Sequence, residues 1–278
     1  MRDDKLVLVR GAGDIATGTI QKLVRAGFLV LATETDRPSA IRRQVALSEA
    51  VYEGSFTVED ITAVRVKSME EAYSVMNSGQ VAIMVDPSCQ LLTVVQPFAV
   101  IDAVLAKKNL GTIREMAPIT IALGPGFIAG EDVDVVIETM RGHNLGRLIR
   151  QGSALPNTGV PGIIEGMGQE RVIHAPVAGI ITIKAAISDA IEKGQIIADI
   201  DGHPVIASMD GILRGLIRDG FKVSQGLKIA DIDPRDSEKE NCFTISDKAR
   251  CIGGSVLEAI LMLRKEKLPS ISDVGGEV

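Results

Sequence analysis

The residues best suited to chemistry fall into four groups. The first is Gly11-Ala12-Gly13-Asp14-Ile15-Ala16, which follows the apolar run "KLVLVR" and precedes a stretch able to form a helix. In the pattern G-x-G-x-x-G/A the first glycine makes a tight turn and the second admits a phosphate to the backbone. The third small residue lets helix and sheet pack closely. The free N–H groups and positive end of a helix starting there favour an anion. Glu34 stands 23 residues after Gly11, where an acidic side chain can take a ribose hydroxyl. Asp14 opposes this reading, because a carboxylate in the loop repels phosphate unless it turns away to cap the helix. A tight turn that serves packing alone is the competing reading.

The second group is Gly124, Gly126 and Gly130 in "LGPGFIAG", a loop whose backbone is open to a ligand. The third is cationic: Arg141, His143, Arg147 and Arg150 lie within ten residues of an acidic chain. Guanidinium groups bind phosphate and carboxylate oxygens bidentately, so the cluster suits such a ligand. It equally fits a solvated face paired with Glu131, Asp132, Asp134 and Glu138. Arg42 and Arg43 are further candidates for the same cleft. The fourth is Cys89 in "DPSCQ", a thiol at a strand end beside Asp86 and the one candidate for thiol chemistry; a buried structural cysteine is the alternative. Cys242 and Cys251, nine apart, lack the spacing of a zinc pair, and no metal site is expected.

These groups need a scaffold that brings loops together. "KLVLVR", "FLVLATE", "ITAVRV", "VAIMVD" and "PITIAL" read as five buried strands. "DIATGTIQKLVRAG", "MEEAYSVMNSG" and "PFAVIDAVLAKKNLG" read as the helices between them. Strands alternating with helices imply a parallel sheet covered on both faces, a Rossmann-like doubly wound α/β fold with ligands at the carboxyl edge. This domain is expected over residues 1–165.

From Ala175 the texture changes to short strands and glycines. At a constant offset of 32 residues, "APVAGIITIKAAISDAIEKGQIIADID" overlies "ASMDGILRGLIRDGFKVSQGLKIADID" with nine of 27 positions identical, enough to mark an internal repeat. Neither copy can bury its apolar face alone. The pattern resembles the biotinyl/lipoyl domain, a small β barrel-sandwich hybrid, and such a domain is expected over 166–235. The resemblance implies a carrier lysine at the joint of the two copies, but the joint is "DGHPV" and no lysine occurs between Lys193 and Lys222, so no biotin or lipoyl attachment is expected. Residues 236–278 are expected to add a helix, capped by Ser246 or Asp247, that packs back on the first domain.

Bulk properties narrow the function. With 278 residues and 46% apolar content the chain can bury a large core. A net charge of -6 and 3% aromatic residues disfavour nucleic acid as a partner. The apolar run near the start is too short for a signal peptide or a membrane span, and three widely spaced cysteines argue against a disulfide framework, so a cytoplasmic location and no membrane partner are expected.

"RGAGDIATG", "ETDRPSAIRRQVALSEAVYEG", "ALGPGFIAGEDVDVVIETMRGHNLGR", "GHPVIASMDGILRGLIRDGFKVSQGLKIADIDPR" and "ISDKARCIGGSVLEAIL" together resemble the selenium-dependent molybdenum hydroxylase accessory proteins of the YqeB type. The likeness runs from about residue 5 to residue 265. It implies a maturation factor for a molybdenum hydroxylase apoenzyme, with an N-terminal half related to the XdhC-like accessory domain. No catalytic residue is carried over from the family, but the residues read above are compatible with it: an anionic ligand, the molybdenum cofactor (molybdopterin) or a nucleotide, is expected at Gly11–Ile15, Glu34, Gly124, Gly126, Arg141, His143 and Arg147, and Cys89 is the candidate to hold a persulfide or selenide. The alternative is an NAD(P)-dependent oxidoreductase using the same glycine loop. Catalytic turnover and a homo-oligomer both stay open.

Overall fold

The computed structural model describes residues 3–159 and 164–268. Its larger part contains, in chain order, β1 (Asp3–Arg10), α1 (Asp14–Arg25), β2 (Leu29–Glu34), the single turn α2 (Ala50–Glu53), β3 (Ser55–Val58) and β4 (Ile61–Val66). Then follow α3 (Met69–Asn77), β5 (Val81–Val85), β6 (Pro97–Asp102), β7 (Ile119–Leu123), β8 (Val135–Ile137) and β9 (Leu148–Ile149). The nine strands form one sheet in the order β3-β4-β5-β2-β1-β6-β7-β8-β9. The run from β4 to β8 is parallel, and β3 and β9 close its edges antiparallel.

Two expectations are corrected by this sheet. Residues 97–111, read as a helix, form strand β6 and a loop. "PFAVID" is buried at every position between β1 and β7, so its unbroken apolar run is that of a strand covered on both faces. The Rossmann-like doubly wound layout is also replaced. Of the parallel strands only β1 and β4 are followed by a helix of more than one turn; the links from β5, β6 and β7 contain no α-helix among the described residues, and the sheet is mixed.

The second part comprises β10 (Val172–His174), β11 (Gly179–Ile183), β12 (Ala190–Ile191), β13 (Ile196–Ile200), β14 (His203–Ile206), β15 (Gly211–Leu216), β16 (Lys222–Val223) and β17 (Lys228–Asp233). They make two four-stranded antiparallel sheets, β10-β17-β15-β12 and β14-β13-β11-β16, and this description replaces the biotinyl/lipoyl barrel-sandwich hybrid. The 32-residue offset carries the strand order of one sheet onto that of the other. It also explains two of the repeated identities: a Cβ at Gly179 would strike Asp201, and one at Gly211 would strike Asp233. Ile181, Ile197, Leu213, Ile229 and Ile232 fill the space between the sheets. The unit docks through the segment after β2. Leu216 N–H donates to the Ile41 carbonyl at 2.8 Å, Arg43 Nε donates to the Leu216 carbonyl at 2.8 Å, and Arg218 pairs with Glu49 at 2.8 Å.

The chain ends its described part in α4 (Asp247–Lys267), capped by Ser246, whose Oγ accepts the Ala249 N–H. Ile252, Val256, Ile260 and Leu263 share a core with Ile20 of α1 and with Ile119, Ile121 and Val135 of the sheet. Two ion pairs pin its far end, Lys267 to Asp134 at 2.6 Å and Arg150 to Glu266 at 2.7 Å. No described helix is long and apolar enough to cross a membrane.

Candidate functional site

The glycine loop sits at the end of β1, and its own neighbours occupy much of its hydrogen-bonding capacity. Gly11 has φ +85°, and a Cβ there would lie 3.1 Å from the Ala103 backbone, so the residue is demanded by both conformation and space. Ala12 donates its N–H to Glu34 Oε2 at 2.9 Å, and its carbonyl accepts from Ser48 N at 2.8 Å. Glu34 Oε1 accepts from Thr35 N at 2.8 Å, so the carboxylate that would meet a ribose is bound to backbone. Asp14 faces Arg42 at 3.7 Å and does not cap the helix, while Gly13 alone leaves open space where a side chain would be.

Burial pushes the Glu34 carboxyl above its ordinary 4.5, against two backbone N–H groups that favour its ionised form. The folded chain therefore keeps this proton to higher pH than the unfolded chain, and stability falls as pH rises from 4.5 through the raised value. Glu34→Gln abolishes the titration. Denaturant unfolding at stepped pH should show the variant gaining on the wild type across that window; a constant difference would show that the carboxyl titrates as in the unfolded chain.

The larger opening lies further along the same sheet edge. A cavity of about 830 Å³ is walled by the loops after β6, β7 and β8, by β10 and β17 of the second part, and by the start of α4. Lys107, Arg141, Lys228 and Lys248 line it together with His174, and no carboxylate of the described residues does. Its remaining polar groups include Thr139, Asn157 and Gln169, and Pro125, Met140, Leu155 and Val172 give it an apolar side. Lys107, Arg141, Lys228 and Lys248 thus give the cavity a cationic lining in a chain of net charge -6, an arrangement that favours an anionic guest.

The sequence folds to put them there. Leu105 and Lys107 both hold positive φ, +58° and +62°, conformations costly to side-chain-bearing residues and sustained by what packs against them. A Cβ at Gly126 would lie 2.6 Å from the Lys108 backbone, and one at Gly124 would lie 2.6 Å from Thr139 Oγ1. Gly124 and Gly126 thus stack neighbouring loops and set Lys107 and Thr139 at the cavity, instead of baring backbone to a ligand. Arg141 is oriented by a two-point pair with Asp247, at 2.6 and 2.9 Å. Lys228 lies 3.6 Å from Asp231, and with the Asn157 amide turned so that its oxygen faces the ammonium, Lys107 Nζ donates to it at 3.1 Å.

Of the sequence-predicted residues, only Arg141 lines this cavity. His143 is exposed on the turn after it, Arg147 binds Asn144 at 3.2 Å, and Arg150 is engaged by Glu266. Cys89 lies on the opposite face of the sheet, buried with Leu6, Leu8 and Val100, its Sγ 3.5 Å from Thr33 Oγ1. Burial pushes its thiol up, which disfavours the thiolate that transfer chemistry needs. Lys107, Lys228, Lys248 and His174 were missed. Lys107 was hidden by the helix expected over 97–111, and the others are spread over chain segments that only the tertiary fold brings together. Among the described residues no group of three or more His, Cys, Asp or Glu is arranged to hold a metal ion.

The fold and site therefore define an α/β protein with a cationic cavity between its parallel strands and an appended pair of antiparallel sheets. No family model matches the chain. It is 48% identical over 270 residues to "Uncharacterized protein YqeB" of Escherichia coli strain K12, covering 97% of this chain and 50% of the relative. The chain spans about half the length of that curated relative. Among solved structures it is similar to an aspartoacylase family protein from Mesorhizobium loti, at 14% identity and a TM-score of 0.28 over 83% of this chain and 85% of that one. A succinylglutamate desuccinylase from Silicibacter gives 14% identity and a TM-score of 0.25 over 84% and 86%. These comparisons correct the expected membership of the selenium-dependent molybdenum hydroxylase accessory proteins. The relative bears the YqeB name of the resemblance but is described as uncharacterized, so it supports neither a molybdenum hydroxylase maturation role nor an XdhC-like half.

Proposed function

We propose that this chain binds a small polyanion, a molecule bearing phosphate or more than one carboxylate, in the cavity beside β6, β7 and β8. Nucleotides and phosphorylated pterins belong to this class. The observation that carries the reading is the convergence of Lys107, Arg141, Lys228 and Lys248 on one cavity without an acidic residue among its described lining. Its apolar side, with Met140, Leu155 and Val172, suits a flat ring attached to the charged group. Holding such a ligand for a second protein, an accessory role, asks of the chain only this cavity and a path into it. Three unpaired cysteines favour the reducing cytoplasm as its location. A nicotinamide-dependent reaction at the glycine loop has less support, because Glu34 is committed to the N–H groups of Ala12 and Thr35.

Calorimetric titration with pyrophosphate, ATP, NADH and, as a neutral control, adenosine tests the proposal. Pyrophosphate and ATP should bind, with affinity falling as salt is raised, and adenosine should not. Arg141→Ala should weaken pyrophosphate binding roughly 10- to 100-fold, the loss of one charge-assisted hydrogen-bonding group of about 1.5–3 kcal/mol. If neither phosphorylated compounds nor di- and tricarboxylates bind, the proposal fails.

A further inference from the structure

Among the described residues, three of the cavity's cations are held by a partner and one is not. Arg141 is paired with Asp247, Lys228 lies near Asp231, and Lys107 donates to Asn157. Lys248 forms no ion pair with the described residues, yet its side chain reaches the cavity and is half-buried. It occupies the second position of α4, a 21-residue helix whose positive end disfavours an ammonium. The charged groups around it are Asp14 at the start of α1, Glu138 and Arg141 after β8, and its neighbour Asp247. Glu138 is spent on the Met140 and Leu155 N–H groups, at 2.7 and 2.8 Å, and Asp247 on Arg141.

Resting on the anion-site reading, we propose that Lys248 is an amine nucleophile that forms an imine with an aldehyde or ketone carrying phosphate or carboxylate. The other cations hold the anionic group, and the amine meets the carbonyl. The Nζ lone pair adds to the carbonyl carbon while the carbonyl π pair passes to oxygen. The resulting carbinolamine then expels that oxygen as water. Overall one ammonium and one carbonyl give one iminium and one water, with no oxidant or reductant and no net change in protons. The electrostatics agree with this use. Burial, with Arg141 beside it, lowers the Lys248 pKa, outweighing Asp14, Glu138 and Asp247, so more free amine is present near neutrality than for an exposed lysine.

Pyridoxal 5′-phosphate, a phosphorylated aldehyde, is the probe. Incubation with the intact chain should produce an imine absorption band, and borohydride reduction followed by peptide mass spectrometry should place the adduct at Lys248. Excess pyrophosphate should suppress it. Lys248→Arg, which keeps the charge but cannot form the imine, should lose that adduct, and Lys248→Met should lose it as well. Labelling scattered over exposed lysines such as Lys193 and Lys222, unaffected by pyrophosphate that binds normally, overturns the inference and leaves the anion site standing. Absence of pyrophosphate binding to the wild type overturns both.

Discussion

Gly253→Ala is expected to destabilise the folded chain by about 2–3 kcal/mol, although alanine is the better helix former. A Cβ at Gly253 would lie 2.5 Å from the Gly18 carbonyl oxygen and 3.0 Å from Thr19 Cα; a Cβ at Gly18 would lie 2.5 Å from the Ala249 oxygen. Both obstacles are backbone, so no side chain can swing aside. The helices must separate instead, and contacts among Ile20, Ile252, Val256 and Ile260 loosen together. The propensity gain, roughly 0.5–1 kcal/mol, is too small to compensate. Gly254 supplies the control. It is the next residue of the same helix, but a Cβ there meets nothing within 4 Å, so Gly254→Ala should stabilise by about 0.5–1 kcal/mol. Denaturant midpoints of the two variants should move in opposite directions. Equal shifts would show that α1 and α4 do not cross this closely. Because α4 also carries Lys248 to the cavity and Asp247 to its pair with Arg141, Gly253→Ala should weaken pyrophosphate binding while Gly254→Ala leaves it unchanged.

Much of the scaffold was legible where a local signal was unambiguous. "ITAVRV" was bounded as the strand it forms, and "DIATGTIQKLVRAG" holds a helix that stops just before Gly27, which takes φ +86°. "PFAVID" was not legible, because a fully apolar run has no period to separate a strand buried on both faces from the opening turn of a core helix. That one misreading also concealed the loop carrying Lys107. The 32-residue repeat could be read because its spacing is constant, and its strand pairing across two sheets follows from the same constancy. The cavity was displaced from the place its glycines suggested. Gly11 and Gly126 are required by close backbone contacts and Gly124 by its positive φ and the Thr139 side chain, demands that a phosphate loop and a close loop contact impose on the sequence in the same way. Arginines within ten residues of one another looked like a cluster, yet the fold sends Arg141 to the cavity, Arg147 to solvent and Arg150 to α4. Lysines from residues 107, 228 and 248 meet only through tertiary structure.

The loop that presents Lys107 depends on a buried ion pair, and Arg10→Met is expected to cost about 3–5 kcal/mol by removing one partner. Arg10 is 3% exposed and Asp102 1%, with Nη1 to Oδ2 at 3.2 Å across β1 and β6. Thr112 Oγ1 donates to the same Asp102 oxygen at 2.5 Å, and Arg10 Nη2 donates to the carbonyls of Leu110 and Pro87 at 3.2 and 3.3 Å. One guanidinium therefore ties the last residue of β6 and Leu110 of the loop that follows it to the turn after β5. Methionine fills most of the volume but leaves the Asp102 charge buried with Thr112 and the Val104 N–H as its remaining partners. Asp102→Leu strands the arginine in the same way. If the cost comes from an uncompensated charge, the double variant Arg10→Met/Asp102→Leu should be far more stable than the two single losses add up to, because nothing charged is left inside. The loop carbonyls would still have lost their donor, so pyrophosphate binding should remain weakened in the double variant even as its unfolding midpoint recovers. Recovery of both would show that Lys107 is placed by the Gly124 and Gly126 contacts alone, and recovery of neither that the side chains contribute through packing instead of charge.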